Sequence, residues 1–305
     1  MFMIAYVLSG GNLRGGLQVG ALQALLADPA RKPQMIVGSS IGAINGALVA
    51  ADPTSLGVER LAHIWRNVKR SDIYPGTRVA LARRVLRGKD SLYTDKPLRA
   101  ICQRAFPPGV ISFGDLKIPL YVTVATLNSH TWYYWGDDRS SYLIDAIVAS
   151  ASLPGVFPPI TQGDYQYVDG GLVANLPLQV AIEKGATEIY ALDVSFTTQQ
   201  LPRVKGVPGI LGRAVQVMLH QQTRDELERV IGLPSITLHH IQLNGFKALK
   251  WGDFSQTSAM IDYGRRQTEE YLRQPAPNTI RQSEVAPPPP PGAVRFTPRL
   301  YAVRR

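Results

Sequence analysis

The chain has 305 residues, of which 45% are hydrophobic and 18% are charged, and its formal net charge at pH 7 is +10. This length and composition are those of a soluble globular protein that can bury a full core, as one large domain or as a domain with a tail. A single cysteine, Cys102, excludes an internal disulfide and any metal site that needs several cysteines.

The sequence contains no recognisable membrane-spanning or secretory segment. No run of about 18 apolar residues is present, so no transmembrane helix is predicted. The first residues lack a basic region and continue directly into an apparent core strand, so no signal peptide is predicted. We therefore expect a cytoplasmic location, with peripheral membrane contact left open.

The positive charge is compatible with two kinds of partner, nucleic acid and anionic membrane. Part of the excess lies beyond a proline run near the C-terminus, at Arg295, Arg299, Arg304 and Arg305. No nucleic-acid-binding motif and no interleaving of aromatic and basic residues accompanies the charge. We expect a solvated basic surface and no nucleic-acid partner.

A glycine-rich loop follows the first predicted strand. Residues 4–8 are typical of a strand, residues 9–16 read Ser-Gly-Gly-Asn-Leu-Arg-Gly-Gly, and a helix is predicted over residues 17–27. A dinucleotide fingerprint would need glycine where Asn12 stands and a carboxylate after the second strand, where Gly38 stands instead. The pattern does not favour nucleotide binding.

The same loop fits an oxyanion-binding role better. Backbone N–H groups of Gly11, Asn12 and Leu13, at the start of a helix, could converge on a developing negative charge. Arg14 could brace the loop or add positive potential. An ordinary strand-to-helix turn remains the alternative.

The next strand ends in a serine motif. Residues 34–37 are a short apolar run, and residues 43–51 are typical of a helix built from small residues. Between them lies Gly38-Ser39-Ser40-Ile41-Gly42, a G-x-S-x-G pattern in the strand–turn–helix context of a nucleophile elbow. The turn is so sharp that glycine is needed on either side of the serine. Ser40 is the candidate nucleophile, although a chance Gly/Ser-rich turn would look the same.

This βαβα start predicts a parallel sheet with right-handed crossovers. In such sheets, sites lie at the carboxyl ends of the strands. The glycine loop and the Ser40 turn are therefore expected at the same edge, on neighbouring strands.

A basic amphipathic segment, Arg78–Lys89, comes after a helix predicted over residues 59–68. Wound as a helix, it places five apolar residues on one side (Val79, Leu81, Ala82, Val85 and Leu86) and Arg83, Arg84 and Arg87 opposite. Such a segment can lie on an anionic membrane, or it can be an ordinary surface helix that packs one face inward.

A carboxylate followed by two glycines is the second candidate catalytic element. Strands are predicted over residues 120–127 and 131–135, a helix over 141–151, and a hairpin over 160–168 that ends in Asp169-Gly170-Gly171. In that open turn another backbone segment can approach closely. An aspartate that bonds only to its own turn is the alternative. Asp193, at the end of a strand predicted over 189–194, is a rival carboxylate.

The last third of the chain predicts a loop over residues 202–212, a helix over 213–230, a strand over 236–242 and a helix over 257–273. Residues 274–293 are proline-rich and read as a linker before a basic tail. We expect a catalytic domain over residues 1–273 and a linker and tail over 274–305.

Over residues 4–273 these motifs, in this order, resemble the patatin-like phospholipases, bacterial members especially. The resemblance rests on the glycine loop, the elbow, the Ala-Ser…Phe-Pro-Pro block at residues 149–159, and Asp169-Gly170-Gly171 followed by Asn175 and Pro177. It implies a three-layer α/β/α fold with a mostly parallel sheet. The loop departs from the family pattern at Asn12, where a third glycine is usual. Asn tolerates positive φ better than most residues.

The resemblance further implies a Ser40–Asp169 dyad that hydrolyses lipid acyl esters without a metal or other cofactor and independently of calcium. The implied oxyanion loop comprises Gly10, Gly11, Asn12, Arg14 and Gly15. None of the five histidines, His63, His130, His220, His239 and His240, is in a loop expected near the elbow. Asp169 would therefore take the serine proton itself, which requires burial to raise its pKa from about 3.9.

Two alternatives remain at this stage. One is a carboxylesterase, thioesterase or transacylase that acts on soluble acyl donors. The other is a lipid-binding protein that keeps the pocket without turnover.

Overall fold

The computed structural model describes residues 3–129, 131–195, 203–246 and 252–279. Within these ranges the strands are β1 (Ile4–Leu8), β2 (Met35–Gly38), β3 (Leu120–Thr126), β4 (Trp132–Trp135), β5 (Ile160–Gln162), β6 (Tyr165–Asp169), β7 (Glu188–Asp193) and β8 (Thr237–Gln242). The helices are α1 (Gly15–Leu26), α2 (Ile41–Ala51), α3 (Ser55–Asn67), α4 (Arg70–Ile73), α5 (Arg78–Leu86), α6 (Lys96–Ala105), α7 (Leu143–Ser150), α8 (Leu178–Glu183), α9 (Val207–Ile231) and α10 (Thr257–Arg273).

These strands form one mostly parallel sheet. The hydrogen-bonded neighbours follow the path β5-β6-β3-β2-β1-β7-β8, and β4 also pairs with β3. Strands β3, β2, β1, β7 and β8 run parallel to one another, whereas β4, β5 and β6 pair in antiparallel fashion. Because β1 and β2 are parallel neighbours, the loop after β1 and the turn after β2 lie at the same edge of the sheet. The predicted α/β class is confirmed.

Helices cover both faces of the sheet and complete the three-layer arrangement. Tyr6 and Leu8 of β1 belong to a core shared with α1, α2, α3, α7 and α10. Ala5 and Val7 point to the other face, where α8 and the end of α9 pack. Side chains alternate along a strand, so a strand covered on both faces needs apolar residues at every position. This requirement accounts for the continuous apolar run in β1.

Strand β3 aligns the two strands that end near the candidate catalytic residues. Val122 pairs with Gly38 of β2, and Val124 pairs with Asp169 of β6. Both of these β3 residues also pair with β4. A strand has only two edges, so β4 occupies one edge while β2 and β6 share the other and meet end to end.

Helix α9 begins earlier than the sequence indicates. It spans Val207–Ile231, so the prediction of a loop over residues 202–212 is wrong from Val207 onward. The proline that suggested a loop lies in the first helical turn, where a missing N–H costs no helical hydrogen bond.

Arg83 and Arg84, near the end of α5, and Arg87, just after it, do not share one surface. Arg83 and Arg87 are exposed. Arg84 is half-buried and donates a hydrogen bond from Nε to the carbonyl oxygen of Ser91 at 3.0 Å. The prediction that Arg84 shares the outer side with Arg83 and Arg87 is therefore wrong, because Arg84 anchors the helix to the segment that follows it.

The predicted proline-rich linker lies largely beyond the described residues, which end at residue 279, and the basic tail lies wholly outside them. The division at residue 273 stays a prediction. None of the helices in the described ranges combines the length and the apolar character that crossing a bilayer requires.

Candidate active site

Ser40 occupies a strained turn between β2 and α2. Its backbone has φ 55° and ψ −124°, a conformation that a non-glycine residue rarely adopts. A Cβ at Gly38 would lie 2.7 Å from the backbone nitrogen of Ala43, and a Cβ at Gly42 would lie 2.3 Å from the carbonyl oxygen of Leu8. Neither position has room for a side chain, so both residues flanking the serine must be glycine.

The side chain of Ser40 contacts Asp169 directly. Ser40 Oγ donates a hydrogen bond to Asp169 Oδ2 at 2.7 Å. The backbone N–H of Ser40 donates to Ser150 Oγ, at the end of α7, at 2.9 Å. The sequence motif includes Ser150 but assigns it no role. The Ser150 hydroxyl is therefore the hydrogen-bond acceptor for the backbone N–H of the strained Ser40.

Asp169 is buried and its remaining hydrogen-bonding groups have partners. Its Oδ1 accepts from the N–H of Gly171 at 2.8 Å, and its own N–H donates to the carbonyl oxygen of Ser152 at 3.0 Å. Burial raises the pKa of Asp169 to about 6, although the hydrogen bonds from Ser40 and Gly171 act to lower it. A Cβ at Gly170 would lie 2.1 Å from the carbonyl oxygen of Thr123. The backbone of β3 can therefore lie this close to the turn only because Gly170 has no side chain.

The glycine loop offers unpaired amides beside this pair. Gly10 donates its N–H to the carbonyl oxygen of Asn175 at 3.0 Å. Within the described residues, the N–H groups of Gly11, Asn12 and Ile41 have no acceptor. Asn12 has φ 54°, in the left-handed region that asparagine tolerates. A Cβ at Gly10 would lie 3.2 Å from Ser40 Cβ, so the loop lies against the serine.

Arg14 and Gly15 have different environments. The Arg14 side chain is half-buried and forms no ion pair with a carboxylate of the described residues. Burial lowers the pKa of its guanidinium, and the charge of Asp193 acts in the opposite direction. A Cβ at Gly15 would lie 2.5 Å from Ile41 Cγ1 and 2.6 Å from Trp65, so Gly15 permits close packing of α1 on the elbow.

A chain of buried side-chain hydrogen bonds holds the glycine loop from below. Trp65 Nε1 donates to Asn45 Oδ1 at 2.9 Å, and Asn45 Nδ2 donates to Gln18 Oε1 at 3.0 Å. Gln18 Nε2 then donates to the carbonyl oxygens of Ser9 at 2.8 Å and Leu192 at 3.3 Å. Sequence reasoning missed this network. The only indication of it in the sequence is that Gln18 and Asn45 are polar residues on helix sides that are otherwise apolar.

The rival carboxylate, Asp193, does not contact Ser40. Its Oδ2 lies 3.1 Å from His240 Nε2, and its Oδ1 accepts from the N–H of Ser195 at 2.9 Å. Burial alone would raise the pKa of Asp193, but the interactions with His240 and Ser195 outweigh it and hold the pKa below its ordinary value. The following residue, Val194, donates its N–H to Ser9 Oγ at 2.9 Å, so Asp193 supports the glycine loop from its far side.

No histidine of the described ranges forms a hydrogen bond with Ser40. His240 faces Asp193, and His239 stacks on Tyr190 and lies 3.0 Å from the Tyr271 hydroxyl. His130 lies outside the described residues. In the same ranges, no group of three His, Cys, Asp or Glu side chains is arranged to hold a metal ion.

Comparison with known proteins connects this site to a family. A family model described as patatin-like phospholipase matches residues 6–182. The lysophospholipase NTE1 of Mycosarcoma maydis is 27% identical over 212 residues, which cover 67% of this chain and 10% of that protein. The patatin-like phospholipase domain-containing protein 7 of Rattus norvegicus is 30% identical over 209 residues, 63% of this chain and 13% of the relative. The chain thus spans only 10% to 13% of the length of these relatives.

Among solved structures, VipD from Legionella pneumophila matches with a TM-score of 0.49 at 13% sequence identity. The match covers 89% of this chain and 67% of VipD.

Proposed function

The chain belongs to the patatin-like phospholipase family, and from this premise we propose that it is a serine lipid acyl hydrolase with a Ser40–Asp169 dyad. The observation that carries the proposal is the 2.7 Å hydrogen bond from Ser40 Oγ to a buried carboxylate. The strained backbone of Ser40 adds to it, since strain of this kind concentrates at functional sites.

In the first half-reaction, Ser40 Oγ attacks the acyl carbonyl carbon while its proton passes to Asp169 Oδ2. Histidine takes this proton in most serine hydrolases. An aspartate can do so here because burial brings its pKa to about 6, near enough to neutral pH for efficient proton transfer. The protonated Asp169 then gives the proton to the leaving alcohol as the ester bond breaks.

The developing oxyanion would be stabilised by backbone amides. Gly11, Asn12 and Ile41 provide N–H groups that no described residue accepts. Gly10 has a different role, because its N–H already binds Asn175 and its lack of a side chain lets the loop approach Ser40. Arg14 adds positive potential without touching the serine, and Gly15 maintains the packing beneath the loop.

Water completes the cycle. It loses a proton to Asp169 and attacks the acyl-enzyme, and Ser40 leaves as the hydroxyl when Asp169 returns that proton. Every proton that moves is accepted and returned by Asp169. None of these steps requires a second titratable group.

The substrate class we propose is a glycerophospholipid or lysophospholipid acyl ester. The choice follows from the family and from relatives named as lysophospholipases. A lysophospholipid is the first substrate to assay, followed by a diacyl phospholipid and a short soluble ester.

A fluorophosphonate probe tests the nucleophile, because its phosphorus is attacked by an activated serine with loss of fluoride. Intact mass is measured for the wild type, Ser40→Ala, and Ser39→Ala as the matched control at the neighbouring serine. We expect one adduct on the wild type and on Ser39→Ala, and none on Ser40→Ala. Labelling of Ser40→Ala would overturn the assignment, and a folded wild type that neither labels nor hydrolyses any of the three substrates would indicate a binding protein.

We also propose peripheral contact with anionic membrane through the exposed Arg83 of α5 and the exposed Arg87 that directly follows this helix. Val79 and Leu86 of the same helix are 70% and 87% exposed, so cations and apolar side chains share its outer surface. Arg83→Glu/Arg87→Glu should sediment less with anionic vesicles than the wild type does. Arg66→Glu/Arg104→Glu, at exposed positions on α3 and α6, is the matched control because it changes the net charge equally.

A further inference from the structure

Helix α9 packs on the domain with only part of its length. Leu227 and Val230 are buried against α8, and Glu226 accepts a hydrogen bond from the N–H of Gln179 at 2.8 Å. Along the first half of the helix, none of the described apolar side chains is fully buried. There the large apolar side chains lie on the surface rather than in the core.

These exposed side chains form a continuous stripe. Residues one helical turn apart lie on the same side of a helix, with about 100° between successive residues. Five large apolar side chains, each between 55% and 70% exposed, form what we call the outer stripe: Val207, Ile210, Leu211, Val217 and Met218. Members on adjacent turns are three or four residues apart, except for a gap between Leu211 and Val217. Ala214, also exposed, fills the gap in the middle. Arg213, between the stripe residues, and His220, which follows them, are half-buried. The helix therefore turns an apolar side outward.

The charged residues of the sequence segment that carries the outer stripe are all basic. No aspartate or glutamate occurs between Val194 and Arg224. Arg203 and Lys205, just before the helix, are exposed. An apolar helix side whose charged neighbours in the sequence are cations fits the boundary between the anionic headgroups and the acyl chains of a bilayer. Contiguous apolar surface of this kind marks an interaction site.

The outer stripe ends about one helical turn before the residues of α9 that contact the catalytic region. Gln222 Nε2 donates to the carbonyl oxygen of Leu172, next to the Asp169 turn, at 2.8 Å. Asn175 Nδ2 donates to Thr223 Oγ1 at 3.4 Å, and Asn175 also holds Gly10. Met218 is four residues before Gln222, or about 6 Å along the helix axis. A surface that receives the Met218 end of the stripe would therefore lie near the turn that holds Asp169.

We propose that the outer stripe of α9 is a docking surface for anionic lipid bilayers, which brings the active site to a membrane-borne acyl ester. The proposal rests on the proposed lipid-hydrolase function for its purpose, but its residues are separate from the dyad and from the arginines of α5. The apolar side chains enter the bilayer interface, and the cations before the helix bind headgroups.

The test measures vesicle binding apart from turnover. The full chain carries Ser40→Ala, so that vesicles stay intact, and is floated with vesicles of phosphatidylcholine and phosphatidylglycerol. In this background, Ile210→Gln/Leu211→Gln/Met218→Gln should lower the partition coefficient at least about tenfold, because Gln keeps the helix propensity and removes apolar surface. The matched control is Leu56→Gln/Ile111→Gln/Leu127→Gln, which replaces three side chains that are 66%, 58% and 50% exposed elsewhere on the surface. It should bind as the parent does.

A second variant keeps the test interpretable if the first one misfolds. Arg203→Glu/Lys205→Glu changes exposed residues only and should also weaken binding at least about tenfold, with the remaining affinity less sensitive to salt. All variants must show the parent's thermal unfolding. Binding unchanged by both variants would overturn the proposal, as would a parent chain that does not bind these vesicles at all. A dimer that the Gln variant dissociates, seen by sedimentation velocity, would assign the stripe to a second copy of the chain instead.

The proposed function is tested in parallel by hydrolysis of a soluble monomeric ester with the wild type. Turnover without stripe-dependent binding would refute the docking surface alone. Stripe-dependent binding without turnover would refute the hydrolase and leave the docking surface standing.

Discussion

Ser40 Oγ lies 2.7 Å from Asp169 Oδ2 because one strand aligns the two segments that bear these residues. Gly38, at the end of β2, pairs with Val122 of β3, and Asp169, at the end of β6, pairs with Val124 on the same edge. The two strands run in opposite directions and meet end to end. The serine turn and the aspartate turn are thereby held at a fixed distance by backbone hydrogen bonds rather than by flexible loops.

Asp169→Asn should lower kcat by about 10²- to 10⁴-fold with little change in KM. The amide retains the shape of the carboxylate but cannot accept the Ser40 proton. The measurement is steady-state hydrolysis of a soluble ester. Asp164→Asn, at an exposed position in the β5–β6 hairpin, should leave kcat unchanged. Equal activity of Asp169→Asn and wild type would remove Asp169 from the mechanism.

The activity should rise with pH through a midpoint of about 6, the value to which burial raises the pKa of Asp169. Below this midpoint the carboxyl is protonated and cannot act as the base, so kcat/KM should fall about tenfold per pH unit. Above it the profile should be flat until another group titrates. The rate is followed with a soluble ester from pH 4.5 to 8. A midpoint near 4 would mean that the base lies in a solvated environment.

Motifs with strict backbone requirements could be predicted from the sequence. The glycines around Ser40 and after Asp169 are needed because a Cβ at Gly42 or Gly170 would collide with a neighbouring carbonyl oxygen. Steric demands of this kind leave a fixed residue spacing. The same is true of the first strands, where burial on both faces requires unbroken apolar runs, and the predicted parallel sheet is confirmed.

Other features depend on partners that are distant in the sequence. Gln18 and Asn45 reveal nothing of their mutual contact, because it arises only when α1 and α2 pack together. Arg84 fits the same helical pattern as Arg83 in the sequence. In the structure, however, its side chain donates a hydrogen bond to the carbonyl oxygen of Ser91. Helix α9 escaped prediction in its first turns because proline and glycine there suggest a loop, although both are tolerated at a helix start.

The buried carboxyl of Asp169 should cost stability at neutral pH. Its folded pKa of about 6 lies above the ordinary value of 3.8, so the folded state holds a proton that the unfolded state loses between these values. The stabilisation of the folded state by this retained proton is complete below about pH 4 and is lost as pH rises through 6. Asn does not titrate. The free energy of unfolding of Asp169→Asn, relative to wild type, should therefore rise by up to about 3 kcal/mol between pH 4 and 7.5.

Urea denaturation at pH 4, 6 and 7.5 measures this difference. Asp164→Asn provides the control, since its exposed carboxyl should give the same difference from wild type at each pH. A constant difference between Asp169→Asn and wild type would mean that the Asp169 carboxyl has the same pKa folded and unfolded, and it would contradict the proposed base as well.

The hydrogen-bond chain beneath the glycine loop makes Gln18 a positioning residue. Gln18→Met preserves length and apolar packing but removes the side-chain hydrogen bond to the Ser9 carbonyl oxygen and one of the hydrogen bonds made by the Leu192 carbonyl oxygen and by Asn45 Nδ2, which should cost about 1–3 kcal/mol of stability. Because Ser9 precedes the amides of Gly11 and Asn12, kcat should also fall, with KM little changed. Gln23→Met, on the same helix but hydrogen-bonded only to Glu59 near the surface, should change neither. If Gln18→Met loses stability but keeps full kcat, the network supports the fold and not the oxyanion loop.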